Sequence, residues 1–330
     1  MLLDGLRVLD FSIWRPGPYA TQLLAELGAD VLKVEPPGGD PMRQYVELFA
    51  TLHANKRSIV LDLKDDADRE RAHELGRDAD VVIEGYRPGV AARLSIGYDD
   101  LKAVNPRVVY CSISGMGQTG PLAAASGHDL NYMAWSGALS PDGRAPAEPA
   151  IPVADLAGGM AGALQICAAV VQQRRTGEGT YLDVAMADVL ATWTGPARPT
   201  AQGADPDARG VPGYGTFEAA DGWITLGIIS EDHFWRPLCD ALDMSDVREL
   251  GFLDRMQRFG ELQHRIADAI RTRQRDALVA ELLGANVPVA PVLNRTEMMA
   301  LDHFQTRGAV IDRGRAPTLG EHQGQAWLVS

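Results

Sequence analysis

Strand and helix patterns alternate along the first half of this chain, and the strands are unbroken apolar runs rather than alternating ones. Arg7-Val8-Leu9-Asp10-Phe11, Val31-Leu32-Lys33-Val34, Ser58-Ile59-Val60-Leu61-Asp62-Leu63, Asp80-Val81-Val82-Ile83-Glu84, Arg107-Val108-Val109-Tyr110-Cys111-Ser112 and Thr180-Tyr181-Leu182-Asp183-Val184 read as six strands. A strand with one wet face alternates polar and apolar residues, whereas one covered on both faces has no reason to. Between the runs lie helical patterns: Tyr19 to Leu27, closed by Gly28, then Asp65 to about Arg77, and an Ala/Gly-rich stretch from Leu156 to Arg175. Together they predict an α/β fold built on an open parallel sheet with helices on both faces.

The pattern then changes. Gly, Pro, Ala and Asp dominate residues 195–213, the best linker in the chain. Thr216-Phe217-Glu218 and Trp223-Ile224-Thr225-Leu226 flank Asp221-Gly222, a hairpin signal. Helical patterns follow from His233 to about Ala241, Glu261 to Arg271 and Arg275 to Leu283, and Val289-Ala290-Pro291-Val292-Leu293 reads as a returning strand. The predicted organisation is a large α/β domain over 1–194, a linker over 195–213 and a smaller α+β domain over 214–294. A return linker and tail over 295–330 packs back on the large domain. A length of 330 residues suits two domains.

Composition narrows the function. The net charge of −13 argues against a nucleic-acid partner, because counterion release needs basic surface. Cys111, Cys167 and Cys239 are far apart in sequence and suit neither a disulfide framework nor a zinc site, which fits a reducing cytoplasm. The longest apolar run, Ala157 to Val171, is short for a bilayer and reads as a buried helix, so no membrane role is expected. The histidines show no metal-ligand spacing, and no metal is expected.

Three features carry chemistry. Gly115-Met116-Gly117-Gln118-Thr119-Gly120 matches a dinucleotide fingerprint, but Pro121 follows and no helix opens on the glycines. No nicotinamide or flavin is expected, and the loop reads as one that lets backbone approach a substrate. Basic residues cluster at Asn55-Lys56-Arg57 with Lys64, and at Arg87 and Arg93. Lys64 and Arg87 fall at carboxyl ends of strands, where parallel sheets bind ligands, so a phosphate-bearing ligand is plausible beside plain solvated charge. The third is a pair. His128 sits in Gly127-His128-Asp129-Leu130-Asn131-Tyr132, and Asp155 follows one Pro/Gly-rich loop later at the mouth of the Ala/Gly-rich helix. His128 reads as a core or surface histidine or, with Asp129 and Asn131 beside it to fix its tautomer, as a catalytic one, and Asp155 as a helix N-cap or as an acid, base or nucleophile.

The chain resembles the family III CoA-transferases, the group that includes formyl-CoA transferase, the carnitine CoA-transferases and the α-methylacyl-CoA racemases. The markers are Leu6-Arg7-Val8-Leu9-Asp10, Pro16-Gly17-Pro18, Leu27-Gly28-Ala29-Asp30-Val31, Lys56-Arg57-Ser58-Ile59, Arg87-Pro88-Gly89, Asn105-Pro106-Arg107 and Gly117-Gln118-Thr119-Gly120-Pro121. Thr176-Gly177-Glu178-Gly179 and Leu319-Gly320-Glu321-His322 extend the match across nearly the whole chain. The resemblance implies a Rossmann-like large domain, a smaller second domain, an interlocked ring-like homodimer and CoA thioester substrates, with no cofactor beyond CoA itself. It assigns CoA contacts to Leu61, Asp62, Leu63 and Lys64, to Gly85, Tyr86 and Arg87, and to Arg93, together with Gly127, Asp129, Leu130, Asn131 and Tyr132. Asp155 matches the aspartate that attacks the acyl group in transferases.

The motif from Gly127 to Tyr132 looks most like the racemase branch, in which the histidine and the aspartate are the two acid/base groups. The resemblance thus implies an acyl-CoA racemase or epimerase working through His128 and Asp155, with backbone N–H groups at the start of helix 156 holding the enolate oxygen. The alternatives are a CoA-transferase with a covalent intermediate on Asp155, and a member that binds CoA esters without catalysis. Three departures stand out. Pro36 replaces an arginine that contacts the CoA nucleotide in racemases and formyl-CoA transferase, leaving Arg43 or Lys56 to compensate. The stretch between Asp188 and Gly213 is short. A supporting glutamate of the racemases matches Glu231 only with one residue inserted after Gly227.

Overall fold

Strands β1 Arg7–Asp10, β2 Asp30–Glu35, β3 Arg57–Val60, β4 Val81–Glu84, β5 Val109–Ser114 and β6 Thr180–Ala185 form one sheet in the order β3-β2-β1-β4-β5-β6. Every pairing is parallel, as the unbroken apolar runs require, with Val8 against Val31 on one side and Val81 on the other. The structure is a computed structural model and describes residues 1–139, 147–194, 210–307, 315–325 and 327–328. The chain divides into two units, Met1–Ala197 with Asp312–Ser330, and Arg198–Ile311. Most of the predicted linker, residues 195–209, lies outside the described residues.

In the first unit the strand order reverses between β1 and β4, so the loops leaving these two strands diverge and open a crevice at their carboxyl ends. β3 stops at Val60, three residues before the apolar run ends. Leu61 and Leu63 stay buried, but the chain turns between them: Lys64 N–H donates to Asp62 Oδ1 at 3.0 Å, and Asp65 caps the helix Asp66–Asp78. The tail runs along β3. His322 N–H donates to Ser58 O at 2.9 Å, and the Gln323 amide takes up both the N–H and the carbonyl of Val60. An open strand edge is thereby covered.

The spine of this unit is the helix Val153–Thr176, which begins three residues before the predicted Leu156. At 24 residues it is long and apolar enough, by length and composition, to cross a membrane, unlike the shorter run read from sequence. Its glycines show what it packs against here. A Cβ on Gly159 would lie 2.6 Å from Pro16 O, and one on Gly162 the same distance from Ile113 Cδ1. Only bare backbone lets the helix press on the helix Pro16–Glu26 and on β5 at once.

The second unit has an antiparallel sheet of β7 Tyr214–Ala219, β8 Gly222–Gly227 and β9 Val289–Pro291. Ala219 pairs with Gly222, so the hairpin turn is Ala220-Asp221, one residue earlier than the Asp221-Gly222 signal suggests. Asp221 is spent instead on accepting the Arg275 N–H at 2.6 Å, outside the turn. The helices Asp232–Ala241, Phe259–Arg271 and Arg275–Gly284 pack Trp235, Leu238, Ile266 and Leu282 into its core.

Candidate active site

Both members of the His/Asp pair line one cleft of about 310 Å³ in the first unit, with Trp14, Arg15, Met42, Tyr45, Leu48 and Pro152. Three segments converge there. The first leaves β1 at the reversal of strand order and carries Trp14 and Arg15. The second is the 3₁₀ turn Pro41–Gln44 with the helix Val46–His53. The third is formed by the short helix Asp129–Trp135 and the first turn of Val153–Thr176.

Asp155 is the third residue of its helix, not the N-cap; Pro152 holds the cap position because its fixed φ suits a helix entrance. Its N–H donates to Asp129 Oδ1 at 3.0 Å, so one carboxylate fixes the backbone of the other. Burial, then the like charge of Asp129, push the Asp155 carboxyl up to about 6, against the opposing pull of Arg15. A carboxyl poised there can give or take a proton near neutrality, or attack a carbonyl once ionised. The N–H groups first considered for an enolate oxygen are taken, since Leu156 N–H donates to Pro152 O at 3.1 Å and Asp155 N–H to Asp129. Val153 and Ala154 lie one step earlier, where a helix has no internal acceptor for its N–H groups.

His128 is exposed and N-caps the helix Asp129–Trp135 with its backbone; its N–H donates to Asn131 Oδ1 at 3.0 Å. Its ring and that of Trp14 meet at 80°, edge to face, with centroids 6.4 Å apart. Neither Asp129 nor Asn131 touches the imidazole: the first holds Asp155, the second closes the helix entrance. Tyr132 is buried and donates to Gly127 O at 2.5 Å, tying the loop down. A Cβ on Gly115 would overlap the Tyr132 ring, so that glycine of the Gly115–Gly120 loop makes room for tyrosine. Burial, then the charge of Asp155, raise the Tyr132 phenol above its usual value and Arg87 opposes them, which sets both charges about this ring.

The other predicted contacts spread along the carboxyl edge of the sheet. Lys64, Arg87 and Arg93 are exposed, while Leu61 and Leu63 belong to the core. Tyr86 and Gly85 are half-buried, with the Tyr86 N–H donating to Glu84 Oε2 at 2.6 Å. Leu130 is exposed at the start of its short helix. Glu231 lies in the second unit, where it N-caps the helix Asp232–Ala241 and accepts the Ile229 N–H at 2.8 Å. Among the described residues no group of three or more His, Cys, Asp or Glu is placed to hold a metal ion.

Two basic residues named from sequence have their charges turned into the fold. Lys56 is buried, donating to Pro18 O and Thr21 Oγ1, both at 2.8 Å, with Asp10 Oδ2 at 3.7 Å. Arg57 forks onto Asp30 at 2.9 and 2.8 Å. Arg43 is likewise held by Glu35 and lies 4.3 Å over the Phe49 ring. Arg43 and Lys56, the two residues left to compensate for Pro36, turn their charges to carboxylates delivered by β2 and β1, Glu35 and Asp10. Trp14 and Arg15 are the reverse case. Between the strand run ending at Phe11 and Pro16-Gly17-Pro18 they carry no signal of their own, although their place after β1 puts them at the crevice. Trp14 takes a left-handed φ of 64°, costly for a bulky residue and typical of functional loops.

A doubly wound parallel sheet with a histidine and a raised carboxyl lining one cleft at its switch point is an arrangement that suits an enzyme. The sequence matches CoA-transferase family III over residues 3–329. It is 33% identical to the acetyl-CoA:oxalate CoA-transferase of Acetobacter aceti, with 94% of this chain and 86% of that protein covered. It is also 33% identical to the human α-methylacyl-CoA racemase, over 94% of this chain and 83% of that one. A solved CaiB/BaiF family protein from Brucella suis superposes with a TM-score of 0.84 at 29% identity, covering 97% of each chain. The chain belongs to CoA-transferase family III, whose members among these relatives are both transferases and a racemase.

Proposed function

We propose that this enzyme is an acyl-CoA racemase or epimerase that inverts the α-carbon of a 2-methylacyl-CoA-type thioester. The observation that carries this reading is the presence of His128 and Asp155 on one cleft, with Asp155 held at about 6. One group removes the α-proton, the thioester becomes an enolate, and the other returns a proton to the opposite face. Two groups are needed, because a single base returning its own proton restores the starting configuration. The N–H of Val153, half-buried at the first helical position beside Pro152, is the proposed donor to the enolate oxygen.

CoA is proposed to lie along the exposed Lys64, Arg87 and Arg93, with Leu61, Asp62, Leu63, Gly85 and Tyr86 contributing backbone. Gly127 and Asp129 to Tyr132 shape the acyl end. Glu231 is the proposed supporting residue. A homodimer is supported by Met160, Leu164 and Val171, three exposed apolar residues on one stripe of the helix Val153–Thr176 with Cys167 among them. The cytoplasm is supported by Cys111, Cys167 and Cys239, all free thiols.

The oxalate CoA-transferase relative favours a second reading. The Asp155 carboxylate attacks the thioester carbonyl, giving a mixed anhydride and CoA thiolate; the thiolate then attacks the Asp155 carbonyl and releases the first acid. An acceptor acid takes the acyl position by the reverse steps. One experiment separates the two. A single-enantiomer 2-methylacyl-CoA is incubated in deuterated water, with and without an acceptor acid. Racemase chemistry predicts α-deuterium without acceptor, made one-sided or lost in His128→Ala. No exchange, CoA passing to the acceptor and acyl trapped from Asp155 by hydroxylamine would replace it with the transferase reading.

A further inference from the structure

Arg15 is a cation inside the cleft that neither proposed chemistry employs. It lines the same space as Asp155 and His128, beside Trp14, Met42, Tyr45 and Leu48. Among the described residues its guanidinium forms no ion pair and donates no hydrogen bond. The carboxylate that feels its charge, Asp155, is not within ion-pair distance of it and remains raised to about 6.

The chain holds this residue in place from several sides. Arg15 is the N-cap of the helix Pro16–Glu26, and its carbonyl accepts the Tyr19 N–H at 2.8 Å. Just ahead, the carbonyl of Ser12 accepts from the buried Lys33 Nζ at 2.7 Å, and Trp14 N–H reaches Asp40 Oδ1 at 3.4 Å. Lys33 and Asp40 pair at 2.9 Å with no solvent access. A Cβ on Gly17 would collide with Ser12, so the turn closes this tightly only with glycine there.

An unpaired arginine in a partly apolar wall, on a loop whose backbone the Lys33–Asp40 pair anchors, has a chemical consequence. An alkyl chain laid against it would strip water from five N–H donors and return no hydrogen bonds. A carboxylate would satisfy the planar fork and neutralise its charge. The cleft otherwise presents the carboxyl of Asp155, backed by Asp129, which would repel such a group. We infer that Arg15 selects an acyl group bearing a second, free carboxylate, so that the preferred ligand is the CoA thioester of a short dicarboxylic acid. This rests on the reading that the acyl end of a CoA thioester enters this cleft, and it holds under either reaction.

The test uses two CoA thioesters of equal chain length with the same 2-methyl centre, one ending in a methyl group and the other in a carboxylate. Each is titrated calorimetrically into the wild-type protein, Arg15→Leu and Arg15→Lys. Wild type is expected to bind the carboxylate-ended thioester about tenfold more tightly. Arg15→Leu closes that gap by weakening the carboxylate-ended ligand, and Arg15→Lys restores part of it. Arg15→Gln carries the same expectation if Arg15→Leu does not fold. Equal affinities in wild type, a gap that survives Arg15→Leu, or both ligands weakening in step overturn the assignment. Binding with the expected gap but without deuterium exchange leaves it standing and removes the racemase reading. No binding of either thioester overturns both.

Discussion

Asp10 and Asp155 are both largely buried carboxyls in the first unit, and their surroundings push them in opposite directions. Burial raises each. At Asp10 that penalty is outweighed by Lys33, Lys56 and hydrogen bonds from Ser12 and Thr21, and its carboxyl lies below the usual range. At Asp155 burial is joined by the repulsion of Asp129 and opposed only by Arg15, so its carboxyl rises to about 6. The Asp10 network is closed on itself: Lys56 is pulled down to about 7 by burial, and His53, well below its usual range, is neutral. Asp155 by contrast faces a cleft. A carboxyl with all its partners inside the fold is structural, whereas one left short of partners beside open space is able to do chemistry.

The contrast is broken most severely by removing the group proposed to react. Asp155→Ala is expected to lower α-deuterium incorporation about a thousandfold, measured by mass spectrometry of the recovered thioester. Asp10→Asn should leave activity per folded molecule far less affected but cost about 3 kcal/mol in urea denaturation, because Lys56 and Lys33 lose a buried counter-charge. The loss is limited by the readiness of Lys56 to shed its proton.

Stability against pH sharpens the difference. Asp10, depressed in the fold, contributes stability that is present above its unfolded pKa near 4 and is lost as pH falls through the folded value. Asp155, raised in the fold, contributes stability that is full below about 4 and is lost as pH climbs through about 6. Asp155→Asn should therefore stabilise the protein at pH 8 by about 1 to 2 kcal/mol, allowing for its partial solvent exposure, while activity is lost. A denaturation midpoint at pH 8 unchanged or lowered in Asp155→Asn would show that the carboxylate is better paired than its neighbours indicate. The smallest effect is expected at Trp14. Trp14→Gly relieves the left-handed backbone and should shift stability by under about 1 kcal/mol either way, while KM rises as a cleft wall is removed.

The parallel sheet was legible because a strand covered on both faces cannot hide its composition: all six apolar runs became strands within a few residues of their predicted ends. The short turn after Val60 was not, since Leu61 and Leu63 are as buried outside the strand as within it. His128 and Asp155 were visible as residue types with chemistry, in a motif shared with a known family. The opposite fates of Lys56 and Arg15 were invisible. Both are cations near Pro-rich or turn sequence, and nothing local says that Asp10 and Thr21 will close around the first while the second is left facing a cleft.

By itself, then, the sequence determined the order of strands and helices, the family and the pair of groups able to move a proton, because periodicity and residue chemistry are local. Tertiary structure decided which charges are spent inside the fold and which remain for a ligand. That choice depends on which carboxylates the strand order brings beside each cation, and strand neighbours such as β1, β2 and β4 are far apart along the chain.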